Sequence, residues 1–197
     1  MIGRLNGTLL EKNPPSIIVD VHGLGYEVDV PMSTFYVLPA TGNAVQLHTH
    51  FVVREDAQLL FGFATQLERS LFRALLKVNG VGAKVALSIL SGMTAEEFFL
   101  CVAQKDAAAL TRIPGIGKKT AERLLVELQD KVDALAGGSV QAGLPVSDQS
   151  SIRQQATDAL LALGYKPAEA KRLLDKSTDD GQSVEEMIRA ALRNVKM

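Results

Sequence analysis

The chain has 197 residues, of which 47% are hydrophobic and 22% charged, with a formal net charge of −1. That length suits one large domain or two to three small ones, and the composition is that of a soluble globular protein rather than a disordered one. The single cysteine, Cys101, excludes an intramolecular disulfide framework and fits a reducing compartment; no stretch approaches the roughly 18 apolar residues of a membrane span, the first residues lack a signal-peptide pattern, and with no Trp and 5% aromatics a base-stacking platform is not expected.

Near-neutrality overall conceals a partition. Residues 1–63 carry three basic and six acidic residues, residues 64–133 ten and eight, and residues 134–197 eight of each. Positive charge therefore concentrates in the middle of the chain and negative charge in front.

Residues 1–63 read as strands. Ile17–Val21 and Tyr26–Val30 are β-branched and partly alternating, with His22-Gly23-Leu24-Gly25 as the turn between them. Lys12-Asn13-Pro14-Pro15 is a further breaker, Val45–Val53 alternates, and Gln58–Phe63 follows a short turn. About five short strands in so few residues suggest a small closed barrel such as an OB-fold.

The period then changes. Leu67, Leu71, Leu75 and Val78 recur at three or four residues, so helix takes over near Gln66 and continues to about Ala134. Residues 135–150, rich in Gly and Ser and without periodicity, read as a flexible linker. Residues 151–197 read as three short helices. Ile152–Leu163 is the first, Gly164-Tyr165-Lys166-Pro167 stops it and starts the second, and Ser183 with Glu186 forms a capping box for a third, to about Val195. A bundle that small favours docking over catalysis. The fold class is mixed, α+β.

The middle segment matches itself at an offset of 35 residues: Val78-Asn79-Gly80-Val81-Gly82-Ala83-Lys84 lies over Ile113-Pro114-Gly115-Ile116-Gly117-Lys118-Lys119. Each copy is helix, Gly-x-Gly turn, helix, and the pattern resembles the helix-hairpin-helix motif. Glycine lets such a turn reach positive φ and lets a ligand approach the backbone. The second helix then presents free N–H groups and a positive dipole end, a natural phosphate site. Lys84, Lys118 and Lys119 add full charges there, and nothing in this arrangement reads a base edge. A nucleotide-binding P-loop needs Gly and Ser/Thr where this chain has Arg112 and Lys119, and a dinucleotide fingerprint needs a third Gly where it has Val85 and Thr120. The bland alternative is that Gly-x-Gly merely closes a pair of helices.

Glu55 and Asp56 sit together between two strands. They are either a solvated turn or a pair of metal ligands of a nuclease, but neighbours on an extended chain point to opposite sides and no further acidic cluster stands nearby. His48 and His50 share one face of a strand and are read as packing rather than metal ligands. Cys101 is read as a buried small hydrophobe, and Phe98 and Phe99 as core. No metal, cofactor or catalytic set is expected, although a structure-specific nuclease and a generic RNA-binding adaptor remain alternative readings.

Across all three segments the chain resembles the RuvA family of Holliday-junction-binding proteins. The likeness rests on Met1-Ile2-Gly3-Arg4-Leu5, Gly23-Leu24-Gly25-Tyr26-Glu27-Val28, Thr49–Ala57, Asn79–Gly82, Pro114–Leu124 and Leu163-Gly164-Tyr165. It implies an OB-fold barrel over 1–63, a tandem helix-hairpin-helix domain over 64–134 and a mobile, UBA-like three-helix domain over 151–197. It also implies a flat homotetramer, with a second tetramer able to complete an octamer around four DNA arms. On the matching positions, Asn79, Gly80, Val81, Gly82, Lys84, Pro114, Gly115, Ile116, Gly117, Lys118, Lys119, Arg123 and Arg54 would contact DNA, and Glu55 and Asp56 would form an acidic pin at the centre. Leu160, Leu163, Tyr165 and Leu192 would dock the hexameric RuvB ATPase, with core packing as the alternative for any of the four. The RuvC resolvase is a further implied partner, the location the bacterial cytoplasm, and the chain itself a non-enzymatic subunit in recombination and repair.

Overall fold

The computed structural model describes residues 1–140, 148–175 and 183–193. Five strands, β1 (Arg4–Asn13), β2 (Ser16–Val21), β3 (Leu24–Asp29), β4 (Ala44–Val53) and β5 (Gln58–Phe63), close into a barrel in the order β1-β2-β3-β5-β4. Neighbours are antiparallel except β3 and β5, which run parallel. This is the small closed barrel expected of an OB-fold. The alternating positions fill its interior with Leu5, Leu9, Ile17, Val19, Val28, Val45 and Leu47.

A short helix, α1 (Met32–Val37), connects β3 to β4 and was not foreseen. Its sequence offers no signal: Pro31 at the N-cap supplies no side-chain hydrogen bond, and the first turn holds no acid.

Helices α2 (Gln66–Leu75), α3 (Ala83–Gly92), α4 (Ala95–Gln104), α5 (Ala107–Thr111) and α6 (Lys118–Val140) follow. The expected boundary after residue 63 is not a gap in packing. Phe61 and Phe63 of β5 sit in the same core as Phe72, Leu75, Ile89, Phe98, Leu110 and Leu124, and residues 1–140 form one compact unit. Phe98 and Phe99 are core, as read, whereas Cys101 is only half-buried. Burial pushes its thiol pKa up, with Asp106 and Glu97 adding to the shift.

A buried carboxylate fastens the barrel to the helices. Glu68 closes the capping box of α2 with Thr65 and also accepts from Ser33 Oγ (2.5 Å) and Thr34 Oγ1 (3.0 Å) of α1. The Met32 N–H donates to Ser91 Oγ of α3 at 3.0 Å. His50 packs edge-on to Phe72 and its Nδ1 accepts from Arg73 Nε at 3.2 Å, which bears out the packing reading.

The linker expected over 135–150 needs correction at both ends. Helix α6 continues to Val140 and α7 (Asp148–Ala162) begins before residue 151. Each of Gly137 and Gly138 costs a helix about 1 kcal/mol relative to alanine, but extending an established helix fixes only one residue per new hydrogen bond. Residues 141–147 lie outside the described residues.

Residues 141–197 form the second unit, in which α7, α8 (Pro167–Asp175) and α9 (Val184–Arg193) pack around Ala156, Leu160, Ala170, Leu173, Leu174 and Ala191. Gly164 ends α7 in a Schellman motif, with the Tyr165 N–H on Leu160 O (3.1 Å) and the Gly164 N–H on Leu161 O (3.0 Å). The Ser183–Glu186 capping box is formed, and the part of the third helix expected beyond Arg193 lies outside the described residues. Among the described residues no single helix is long and apolar enough to cross a membrane.

Candidate nucleic-acid interface

The repeat folds as two helical hairpins, α2–turn–α3 and α5–turn–α6. Each turn pivots on its first glycine: Gly80 has φ +88° and Gly115 φ +89°, values that a side chain would strain. The residue between the glycines faces inward. Val81 and Ile116 are buried, and their N–H groups bond to Val78 O and Ile113 O at 3.1 Å each. The side chain and the amide of these two residues, expected to contact DNA, are thus both engaged inside the turn.

The open donors come next. Gly82 is the N-cap of α3, and the first intrahelical bond runs from Ala86 N–H to Gly82 O (3.0 Å); in the second copy it runs from Ala121 N–H to Gly117 O (2.9 Å). The N–H groups of Ala83, Lys84 and Val85, and of Lys118, Lys119 and Thr120, precede those bonds and have no intrahelical acceptor.

Four of the other helices close this gap themselves. Helices α2 and α4 have capping boxes with Glu68 and Glu97, Asp106 caps α5, and Glu186 serves α9. Helices α3 and α6 have glycine at that position and no acid in the first turn. Lys84, Lys118 and Lys119 stand there instead, all exposed, as are Asn79, Pro114 and the four glycines. A helix N-terminus stripped of its own cap and flanked by cations attracts an anion. The sequence reading placed free N–H groups at the start of each second helix but did not name Ala83, Val85 and Thr120, which follow the N-cap glycines, among the site residues.

The two hairpins hold each other reciprocally. Arg123 of α6 donates from Nη1 to Asn79 O in the first turn at 2.9 Å. A Cβ placed on Gly115 in the second turn would lie 3.5 Å from Val85 Cγ2 of α3. Arg123, expected as a DNA contact, thus has one donor committed within the protein.

Glu55 and Asp56 stand exposed with Arg54 in the turn between β4 and β5, which a hydrogen bond from Arg54 N–H to Ala57 O (2.8 Å) closes. Among the described residues no three His, Cys, Asp or Glu side chains converge as a metal site would require.

In the second unit the four expected docking residues separate. Leu160 is fully buried and is a core residue, because its place on α7 faces α8 and α9. Leu163 is 61% exposed, while Tyr165 and Leu192 are half-buried against the core. Leu192 also lines a surface groove with Ile188, Glu185, Arg189 and Arg193. Ile188, one helical turn before Leu192, lines the same groove and was not singled out by the sequence.

Residues 1–62 match the family described as RuvA N terminal domain, residues 72–130 a SAM-like helix-hairpin-helix tandem, and residues 151–195 the RuvA C-terminal domain. Among curated relatives, the Holliday junction branch migration complex subunit RuvA of Stutzerimonas stutzeri is 54% identical over 200 residues, covering 99% of this chain and all of the relative. The protein of the same description from Shewanella frigidimarina is 52% identical over 204 residues, with 99% and 100% covered. That of Methylococcus capsulatus is 51% identical over 203 residues, with 98% of each covered.

Proposed function

The chain belongs to the RuvA family, and from that premise we propose that it binds four-way (Holliday) DNA junctions without reading sequence, holds them open and square, and recruits a RuvB hexameric ATPase for branch migration. The observation that carries this reading is the pair of helix N-termini left uncapped at Gly82 and Gly117 and flanked by Lys84, Lys118 and Lys119. Phosphate oxygens supply the missing acceptors. Such contacts position a duplex without reading its bases.

The exposed turn of Glu55 and Asp56 plays the opposite part. In a four-fold homotetramer it lies at the crossover, where like charges about 4 Å apart cost about 1 kcal/mol in water and more in a less polar site. Repulsion there parts the strands while the hairpins hold the arms, so the junction stays open and its crossing point can move. A second tetramer can complete an octamer on the DNA, and the RuvC resolvase is a further partner of this reading. The chain itself is non-catalytic, acts in the bacterial cytoplasm, and docks the motor through Leu163, Tyr165 and Leu192.

Competition of a labelled four-way junction against linear duplex and RNA tests the binding reading; equal affinity for all three overturns it. Removing residues 144–197 should leave junction binding intact and abolish ATPase stimulation. Magnesium-dependent cleavage of the junction would support the nuclease alternative instead.

A further inference from the structure

We infer that Arg123 is a positioning residue, which ties the turn of the first hairpin to the first helical turns of α6 and so fixes the spacing of the two phosphate sites. This rests on the reading above, in which both hairpins hold phosphates.

The two turns are secured by unlike means. The second leans on an apolar neighbour, with Val85 Cγ2 3.5 Å from where a Gly115 Cβ would be. At the first turn, whose Val81 is buried in the core, a Cβ on Gly80 would meet only Arg123 Nη1, at 4.0 Å. The hydrogen bond from that same nitrogen to Asn79 O, at 2.9 Å, spans 44 positions of the chain. The repeat gives no equivalent in the other direction. At the offset of 35 residues Arg123 lies over Ser88, whose hydroxyl bonds to Lys84 O of its own helix at 3.0 Å.

Arg123 stands one helical turn beyond Lys119, so its guanidinium joins the first phosphate site to the helix that forms the second. Two anchors on one backbone reinforce each other only when their separation is set before binding. The shared core holds the two hairpins together, and the charge-assisted bond from Arg123 adds the polar tie that fixes the exposed corner of the first turn, beside its positive-φ glycine. Because the residue is exposed, its loss leaves the core intact.

The test uses the full-length protein with Arg123→Ala, Arg123→Lys, Lys84→Ala and the Arg123→Ala/Lys84→Ala double variant. In the free protein, amide exchange over residues 76–84 should speed up severalfold in Arg123→Ala and stay near wild type in Arg123→Lys, which keeps a donor. In junction binding, losing one phosphate contact flattens the salt slope by about 0.9. Arg123→Ala should flatten it by about twice that, since the first hairpin is released as well. Lys84→Ala should then cost less than half as much log affinity in the Arg123→Ala background as in wild type. Unchanged exchange, or a one-contact slope with additive Lys84→Ala, overturns the inference and leaves the junction-binding reading standing. Wild-type protein that fails to bind the junction overturns that reading, while the exchange experiment still judges the brace.

Discussion

Replacing Gly82 or Gly117 by serine should make the protein more stable and a poorer DNA binder. Gly82 is extended, with φ −88° and ψ 173°, the backbone a serine N-cap adopts, and a Cβ at either position meets nothing within 4 Å. The new hydroxyl accepts from an amide two or three residues on, one of the donors now left open. Serine in place of glycine at an N-cap adds a few tenths of a kcal/mol net, the stiffer unfolded chain included, which raises Tm by about 1 °C per site in a chain of this size. Binding moves the other way, because the hydroxyl occupies the donor and its bulk stands where phosphate must approach. A hydrogen bond to a charged group is worth about 1.5–3 kcal/mol, so each substitution should weaken junction affinity about ten- to a hundredfold. Calorimetric melting together with fluorescence anisotropy at one fixed salt concentration reads both signs. Gly80→Ala serves as the contrast: at φ +88° it should lose about 1–2 kcal/mol of stability. A Gly82→Ser protein that melts higher yet binds the junction like wild type would refute the assignment of the open amides as phosphate sites.

Neutralising the acidic turn with Glu55→Gln and Asp56→Asn should tighten junction binding and narrow the preference for junction over duplex; competition binding that shows unchanged or weaker affinity counts against a repulsive pin. Leu160→Ala empties a fully buried site and should destabilise the C-terminal unit by about 2–5 kcal/mol, whereas Leu163→Ala should leave melting unchanged and reduce ATPase stimulation. His50 is held below its ordinary pKa of 6.5, first by burial and then by Arg73 and Arg69. The unfolded chain therefore binds this proton more readily than the folded one, so the stability His50 contributes is complete above pH 6.5 and is lost as pH falls below it. Melting from pH 7.5 to 5 should show a smaller decline in His50→Gln than in wild type; equal declines would mean that His50 is not the group responsible.

The strands and hairpins were legible because their signals are local. Alternation marked β2 and β4, the change of period marked α2, and the 35-residue repeat marked both turns. What could not be read was the direction in which individual residues face. Val81 and Ile116 lie inside the very motif that suggested DNA contact, but an apolar side chain between two glycines gains more by plugging the turn than by meeting phosphate. Leu160 and Leu163 share one apolar helix end in the sequence; the Schellman turn at Gly164 separates them, leaving Leu160 under α8 and α9 and Leu163 outside. The Arg123–Asn79 bond joins residues 44 apart with no shared pattern, so no periodicity could reveal it. Gly137 and Gly138 misled in the other direction, since local propensity understates how far a packed helix propagates.

On the proposed reading, the joint between barrel and hairpins lets a chain with net charge −1 bind a polyanion. Attraction at Lys84, Lys118 and Lys119 and repulsion at Glu55 and Asp56 cooperate only if they act on different stretches of the DNA. Exposed charges are screened beyond about 8–10 Å at physiological salt, so the outcome depends on where each group is held and not on the sum. Glu68, bonded to Ser33, Thr34 and the start of α2, and Met32, bonded to Ser91 of α3, supply that fixed separation. On that reading a loose joint would let the acidic turn drift toward phosphates at the hairpins, and the two effects would cancel on one arm instead of being divided between the arms and the crossover.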